Sequence, residues 1–255
     1  MLLRKEAVII NSPDEIERIR RSSRIVAEVL QILREKVRPG ATTMDLERIS
    51  GEETRKRGAR PAFKGYRGYP FCLCASINSE VVHGMPSEKR TLKDGDILSM
   101  DFGVYYDGFY GDAAVTVPVG SISEEAGRLI EATRQSLEDG IKAAREGGRL
   151  NDIAYAIQSY VEARGFSVVR DFVGHGIGRS LHEPPQVPNY GEPGKGIRLK
   201  SGMVLAIEPM INAGRSEVKV LEDGWTAVTA DGSLSAHFEH TVAIMRDGPD
   251  VLSRI

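Results

Sequence analysis

The spacing of hydrophobic and polar residues changes from a helical period to a strand period along the first half of the chain. The stretch "SPDE" at 12–15 supplies an N-cap, a proline at the first helical position and a capping-box glutamate, and predicts a helix to about residue 36. Pro39-Gly40 breaks this helix, and a second one is predicted over 43–57. Short apolar runs bounded by Gly, Pro and Asp predict strands over roughly 70–120.

The same order of elements returns in the second half. Helices are predicted over 123–145 and 151–164, and strands with glycine-rich loops follow. The stretches "GDILSMD" (95–101) and "GMVLAIE" (202–208) lie 107 residues apart (202 − 95 = 107). Further matches occur at the same offset: Gly40 with Gly147, Asp45 with Asp152, Leu46 with Ile153, and Arg57-Gly58 with Arg164-Gly165.

This duplication predicts an α/β (α+β) fold of two similar halves packed about a pseudo-twofold axis. The halves cover about 13–120 and 121–248, and each is too small to bury much of its surface alone. No low-complexity linker separates them. We therefore expect a single domain over 1–255.

Composition and charge narrow the setting of the protein. The 41% hydrophobic and 27% charged content is ordinary for a globular protein, and no apolar run is long enough to span a membrane. Neither a signal peptide nor a structural disulfide is expected, since Cys72 and Cys74 are the only cysteines, so the chain is predicted to be cytoplasmic. Residues 1–70 carry a local charge of +6 (16 Lys/Arg against 10 Asp/Glu). This is typical of a solvated helix surface and leaves open a contact with an acidic partner.

Two acids are predicted to share one face of a hairpin. Asp107-Gly108 is a strong two-residue turn signal. With those residues in the turn, Asp112 lies opposite Gly103, which shares a face with Asp101. Two carboxylates this close repel unless a cation lies between them, although a solvent-facing pair is the alternative on any hairpin.

The second half repeats these acids. Glu208 ends the strand that matches Asp101, and Glu239 in "AHFEHT" corresponds to Asp112. His175 stands between glycines that would allow a close approach. Four carboxylates with one imidazole suit two adjacent divalent cations of the Mn, Fe, Co or Zn kind.

Several motifs, in order and across essentially the whole chain, resemble type I methionine aminopeptidases. They are "PAFKGYRGYP", "CASINSEVVHGMP", "DFGVYYDGFYGDAAVT", "GHGIGRSLHEPPQVPNY", "MVLAIEPM", "DGWTAVT" and "AHFEHT". The resemblance implies the pita-bread fold and removal of the initiator methionine from nascent polypeptides. It also implies a dinuclear metal centre with these ligands: Asp101, Asp112, His175, Glu208 and Glu239.

The resemblance assigns further roles at the site. His83 would contact the amide to be cut, His182 would stabilise the developing oxyanion, and Glu208 would carry the proton to the leaving nitrogen. A hydroxide bridging the two metals would attack the first carbonyl, while one metal holds the α-amine. The methionine pocket is expected to include the following residues: Tyr66, Tyr69, Cys74 and Trp225, with Phe63 and Leu181 at positions that vary in the family.

Two other classes of protein remain open. Xaa-Pro aminopeptidases and prolidases share the fold and the ligand set but usually carry an added N-terminal domain, for which the chain has no room. A non-enzymatic relative that binds ribosomes or RNA is disfavoured, because such proteins tend to lose metal ligands. We expect the short bacterial-type form, without an N-terminal zinc-binding extension or a helical insertion between Glu208 and Glu239, acting as a monomer with possible ribosome docking through its basic N-terminal region.

Overall fold

A computed structural model describes residues 8–254 and contains four α-helices and a series of short and long strands. The helices are α1 (Pro13–Lys36), α2 (Thr43–Lys56), α3 (Glu124–Ala143) and α4 (Leu150–Glu162). The strands are β1 (Arg60–Pro61), β2 (Leu73–Ile77), β3 (Glu80–Val82), β4 (Ile97–Tyr106), β5 (Phe109–Pro118), β6 (Ser167–Val168), β7 (Gly174–Gly176), β8 (Glu183–Val187), β9 (Val204–Ile207), β10 (Met210–Asn212), β11 (Val218–Val220), β12 (Ala227–Thr229), β13 (Ser235–His237), β14 (Glu239–Met245) and β15 (Gly248–Val251).

Local signals in the sequence set the starts of the helices. At α1, the Ser12 side chain accepts the Glu15 N–H, and the Glu15 carboxylate accepts the Ser12 N–H at 2.8 Å. Thr42 and Asp45 form the same capping box at α2. The four helices predicted from the spacing of apolar residues are confirmed, with ends that differ by one or two residues from those expected.

The main sheet is built around the predicted hairpin. Tyr106 pairs with Phe109 at the turn and Gly103 pairs with Asp112, which is the register expected from the Asp107-Gly108 signal. The nine-stranded sheet runs in the order β1-β4-β5-β14-β9-β7-β8, with β2 on β4 and β15 on β14. The pairing of β5 with β14 joins a strand from the first half of the chain to one from the second half. The strand pairings on either side of this junction are antiparallel.

Helices cover this sheet over two hydrophobic cores that flank the β5–β14 junction. In the first, α1 packs on the hairpin, with these residues: Val26, Leu30, Leu33, Leu98, Met100 and Phe102. In the second, α3 and α4 pack on β9 and β14, with these residues: Leu129, Leu137, Ile153, Ile157, Leu205, Ile207 and Val242. Val115 of β5 packs against both cores. The cavity described below lies on the side of the sheet away from the helices.

Some basic residues of the N-terminal region are paired with acids from elsewhere in the chain. Arg20 contacts Asp250 at 2.6 Å, and Arg18 contacts Asp107 at 3.1 Å. The local positive charge read from the sequence is therefore partly neutralised in the folded protein. Among the residues that the structure describes, no helix is long and apolar enough to cross a membrane.

Candidate metal centre and substrate cavity

One cavity of about 170 Å³ gathers every site residue predicted from the sequence. Its walls include the five acidic and imidazole groups, the two further histidines and the expected pocket residues: Phe63, Tyr66, Tyr69, Cys74, His83, Asp101, Asp112, His175, Leu181, His182, Glu208, Trp225 and Glu239. Arg67 also lines it and was not expected. The cavity joins residues that are up to 176 positions apart (239 − 63 = 176), so only the fold brings them together.

The hairpin register sets the first two carboxylates side by side. Asp101 pairs with Ala114 and Asp112 with Gly103, so the two acids are diagonal neighbours on one face. A Cβ added to Gly103 would lie 2.9 Å from the Phe63 ring and 3.1 Å from Asp112 Oδ1. Glycine at this position therefore gives the Asp112 carboxylate its space between the strands.

The second pair of acids reaches the same point from β9 and β14. Glu239 pairs with Ala114 of β5, which places its side chain beside that of Asp112. Ligand atoms of Asp112, His175 and Glu239 lie within 4.8 Å of one another. This distance allows one divalent ion to contact all three groups, since metal–oxygen and metal–nitrogen bonds are about 2.0–2.2 Å long.

His175 is held close to Glu208 by the glycines on either side of it. A Cβ at Gly174 would lie 2.3 Å from the Ala206 carbonyl oxygen, and one at Gly176 would lie 2.4 Å from that of Pro184. His175 Nδ1 lies 2.8 Å from the Gly176 carbonyl oxygen. Because a carbonyl only accepts hydrogen bonds, Nδ1 carries the proton and Nε2 keeps a free lone pair, 3.6 Å from Glu208 Oε1.

Burial makes the negative charge of this cluster costly. It raises the pKa of Asp101 and of Glu208 to about 7, and the neighbouring carboxylates add to the effect of burial in raising the pKa of Asp112 and Glu239. Within residues 8–254, Asp101 Oδ1, Asp112 Oδ1 and Glu239 Oε1 are buried without a hydrogen-bond partner. Buried oxygens without donors, converging beside an imidazole lone pair, fit divalent metal ions.

Two histidines stand beside the cluster without joining it. His83 has a left-handed backbone (φ 60°), which is uncommon for a residue other than glycine, and its ring contacts Phe172 and Trp225 edge-on. Its pKa is lowered to about 4, mainly by burial. His182 Nδ1 lies 2.7 Å from the Tyr66 hydroxyl. Desolvation of the His182 ring and repulsion by the neighbouring His175 and Arg67 side chains lower the pKa of His182. The rings of His83 and His182 are therefore both neutral near pH 7.

The remaining wall of the cavity is apolar. Phe63 and Leu181 are almost fully buried. The Tyr69 hydroxyl donates to the Leu73 carbonyl oxygen at 3.0 Å, and its ring meets Trp225 edge-on at 5.1 Å between centroids. The Asp223 carboxylate accepts the main-chain N–H of Trp225 at 2.8 Å and so fixes the loop that carries the indole. This wall is rigid and aromatic, which suits a long unbranched side chain.

Two residues beside the site were missed in the sequence. Arg67 has φ of 50° and lies over the Tyr66 ring, 5.4 Å from its centroid. His237 is fully buried and places Nε2 3.4 Å from Glu208 Oε2. A signal for His237 existed, because it precedes Glu239 by two residues and side chains at that spacing share a face in an extended chain. No comparable signal marked Arg67.

Comparison with known proteins finds a family model and close relatives that match nearly the whole chain. Residues 17–246 match the model of metallopeptidase family M24. A methionine aminopeptidase of Clostridium perfringens is 56% identical over 97% of this chain and 99% of its own length. Methionine aminopeptidase 1 of Bacillus subtilis is 51% identical over 97% of this chain and 100% of its own length.

Solved structures agree with the fold. The crystal structure of a methionine aminopeptidase from Thermotoga maritima covers 98% of this chain and 100% of its own, with a TM-score of 0.96 and 49% identity. A prolidase from Pyrococcus horikoshii has a TM-score of 0.78 and 23% identity, and the match covers 96% of this chain but 63% of the prolidase. At that identity the prolidase supports the fold alone. The curled antiparallel sheet with its helices is the pita-bread fold expected from the sequence.

Proposed function

Since this chain belongs to metallopeptidase family M24, we infer that it is a metal-dependent aminopeptidase that removes methionine from the N-terminus of polypeptides. The two relatives named above as methionine aminopeptidases are 56% and 51% identical to it over 97% of this chain. The observation that carries the proposal is the cavity in which buried, unpartnered carboxylate oxygens face an apolar, aromatic wall. Such a cavity combines a place for metal ions with a place for one hydrophobic side chain.

The metal ligands proposed are the five groups that the fold gathers: Asp101, Asp112, His175, Glu208 and Glu239. Four carboxylates offer more oxygens than one ion needs, which supports two divalent ions from among Mn, Fe, Co and Zn. When bound, the metal supplies Lewis acidity and a nucleophile at neutral pH. Glu208, whose pKa is raised to about 7, is suited to accept a proton and deliver it to the leaving nitrogen.

The two neutral histidines are proposed to act on the scissile peptide. If the Tyr66 hydroxyl donates to His182 Nδ1, then Nε2 of that ring carries the proton and is a donor for the oxygen on which charge develops. His83, which has a left-handed backbone and contacts Trp225 edge-on, is proposed to contact the peptide amide. Neither role requires a charged imidazole, in keeping with their lowered pKa values.

The methionine side chain is proposed to enter between the aromatic rims and the buried floor. The rims are Tyr66 and Trp225, and the floor is formed by these residues: Phe63, Tyr69, Cys74 and Leu181. Sulfur–aromatic contacts favour a thioether over a branched aliphatic chain of similar size. The pocket would therefore select methionine by length and by its sulfur.

Release of methionine from a Met-Gly peptide, measured with and without a chelator, tests this function. We expect release that a chelator abolishes and that added Co²⁺ or Mn²⁺ restores. Chelator-insensitive release would contradict a metal-dependent reaction. Cleavage of Xaa-Pro peptides but not of Met-Ala would instead favour the prolidase-like alternative, whose structural likeness extends to the fold.

The setting of the reaction is also a proposal. Cytoplasmic location is supported by the two free, buried cysteines, Cys72 and Cys74, which suit a reducing compartment. Action on nascent chains as a monomer is part of the same proposal. Docking to the ribosome would use exposed arginines of α1, among them Arg21 and Arg24.

A further inference from the structure

The Glu208 carboxylate lies between two imidazoles. His175 Nε2 is 3.6 Å from Oε1, and His237 Nε2 is 3.4 Å from Oε2, so each oxygen faces a different ring. Of these two described histidines, His175 lines the cavity and His237 does not. One ring can therefore reach the metal ions with the substrate, while the other contacts the carboxylate from within the protein.

The His237 ring is held in place by its own strand. Its side chain is 1% exposed, and Met210 pairs with it across β10 and β13. The main-chain N–H of His237 donates to Thr116 Oγ1 at 2.9 Å, and that hydroxyl lies 2.9 Å from the His237 carbonyl oxygen. Within residues 8–254, His237 Nε2 has no hydrogen-bond partner. A buried ring nitrogen on a fixed strand therefore lies close to a proposed metal ligand and has no other partner among the described residues.

We propose that His237 is a positioning residue of the metal centre, which donates its Nε2–H to Glu208 Oε2 and leaves Oε1 for the metal beside His175. The inference rests on the proposed function, in which Glu208 is a ligand. Donors behind a ligating carboxylate orient it, and their loss typically weakens metal affinity or activity by about 10–100-fold. The 3.4 Å separation is longer than an ordinary hydrogen bond, and the proposal requires it to shorten when the metal is bound, as catalytic hydrogen bonds often do on loading.

Two amide substitutions at position 237 compare a side chain long enough to donate to Glu208 with one that is too short to reach it. In His237→Gln the amide nitrogen lies at about the reach of Nε2, whereas in His237→Asn it stops near the position of Nδ1. Both variants are uncharged and polar, so they differ mainly in whether an N–H reaches Glu208. Co²⁺ affinity by calorimetry, the visible spectrum of the Co²⁺-loaded protein, and kcat and KM on a Met-Ala peptide are the readouts.

We expect His237→Asn to bind Co²⁺ about 10–100-fold more weakly, with a changed spectrum and a loss in kcat rather than in KM. His237→Gln should keep affinity, spectrum and kcat near those of the wild type. His240→Gln is the matched control. His240 lines a separate groove between α1, α3 and the opposite side of the sheet, and its Nδ1 lies 2.8 Å from Ser253 Oγ. This control should bind Co²⁺ like the wild type.

A folded His237→Asn protein with the Co²⁺ affinity and spectrum of the control would overturn the inference. Equal impairment of the Asn and Gln variants would also overturn it, and loss of one Co²⁺ per chain in both would make His237 a ligand instead. If His237→Asn does not fold, a folded His237→Gln protein with weakened Co²⁺ binding still overturns the donor role. Failure of the wild type to bind Co²⁺ is distinguishable, since it removes the proposed function itself and this inference with it.

Discussion

Thr241 and Asp112 are joined by two hydrogen bonds across the junction of β5 and β14. The Thr241 hydroxyl donates to the main-chain carbonyl oxygen of Asp112 at 2.7 Å and accepts the Asp112 N–H at 3.2 Å. Thr241 is fully buried, and Glu239 lies two residues before it on the same strand. A side chain outside the proposed ligand set therefore fixes the backbone beside two proposed ligands.

Thr241→Val should loosen this junction, because valine has nearly the same shape but no hydroxyl. Two buried main-chain groups of Asp112 would lose their partner, which costs about 1–3 kcal/mol of unfolding free energy and weakens Co²⁺ binding. Urea unfolding and Co²⁺ calorimetry measure the two effects. Thr133→Val is the matched control, since its hydroxyl bonds the Leu129 carbonyl within α3, away from the cavity. Unchanged stability and affinity in Thr241→Val would show that the junction does not depend on this clamp.

Trp225→Ala should raise KM for methionyl peptides more than it lowers kcat. The indole lies at the apolar wall, edge-on to Tyr69, and Asp223 fixes its loop. Truncation removes contact that the ground state and the transition state share, which appears as lost uniform binding. Steady-state kinetics on Met-Ala peptides measure the split. A loss in kcat at constant KM would assign Trp225 to orientation of the reacting groups instead.

Stability and metal binding should both depend on pH through the buried acids. Burial raises the pKa of Asp101 and Glu208 to about 7, from ordinary values of 3.8 and 4.5. Through these two groups the folded, metal-free protein holds more protons than the unfolded chain between those limits, so their contribution to the unfolding free energy falls as pH rises. The buried, neutral His83, whose pKa is lowered to about 4, acts in the opposite sense up to the ordinary value of 6.5. A metal ion replaces these protons, so its affinity rises over the same window.

Thermal unfolding of chelated and Co²⁺-loaded protein at pH 5.5 and pH 8 tests this dependence. We expect the Tm of the chelated wild type, relative to that of chelated Asp101→Asn, to be lower at pH 8 than at pH 5.5, because the variant lacks one of the titrating acids. The gain in Tm of the wild type from Co²⁺ should be larger at pH 8. A difference in Tm between the two chelated proteins that is the same at both pH values would contradict the argument.

The sequence predicted what depends on local spacing and on the repeat. The hairpin at Asp107-Gly108 fixed the register that sets Asp101 beside Asp112, and the period of 107 residues supplied Glu208 as their counterpart. These inferences needed no long-range contact, since turn chemistry and strand alternation decide them.

The remaining features of the site depend on packing between distant segments. His237 approaches Glu208 because β13 pairs with β10, and Thr241 reaches Asp112 because β14 pairs with β5. The spacing to Glu239 marks His237 as sharing its face, but neither strand pairing can be read from the spacing of residues along the chain. The pairing of Arg20 with Asp250 is of the same kind, and it reduces a basic region that composition alone overstated.

Ribosome association, if electrostatic, should depend on the arginines of α1 that stay exposed. Arg21→Glu with Arg24→Glu should weaken co-sedimentation with ribosomes, as should added salt, and should leave peptide hydrolysis intact. Arg20 is left unchanged, because its reversal would break the ion pair with Asp250. Reversal of Lys142 and Arg145 at the end of α3 is the charge-matched control. Co-sedimentation that is the same in both double variants would exclude docking through α1.

His175 and His182 lie seven residues apart (182 − 175 = 7), and their rings are 4.3 Å apart, yet the structure gives them different surroundings. His175 Nδ1 donates to the Gly176 carbonyl, which frees Nε2 toward Glu208 and the acids. His182 Nδ1 lies 2.7 Å from the Tyr66 hydroxyl, which leaves its Nε2 for the proposed contact with the developing oxyanion. Position in the sequence does not separate the two rings, but their hydrogen-bond partners do.

His175→Ala should therefore lose metal affinity together with activity, and excess metal should restore part of the activity. His182→Ala should keep its metal content and its fold but lose about 10²–10³ in kcat, the usual effect of removing one oxyanion donor. Its KM should change little, because the lost hydrogen bond strengthens only as charge develops on the oxygen.

Tyr66→Phe should reproduce a smaller part of the same kcat loss, since it removes the partner that fixes the His182 tautomer. Metal content and kcat of the purified variants decide the matter: a metal-depleted His182→Ala protein beside a metal-replete His175→Ala protein would reverse the two assignments.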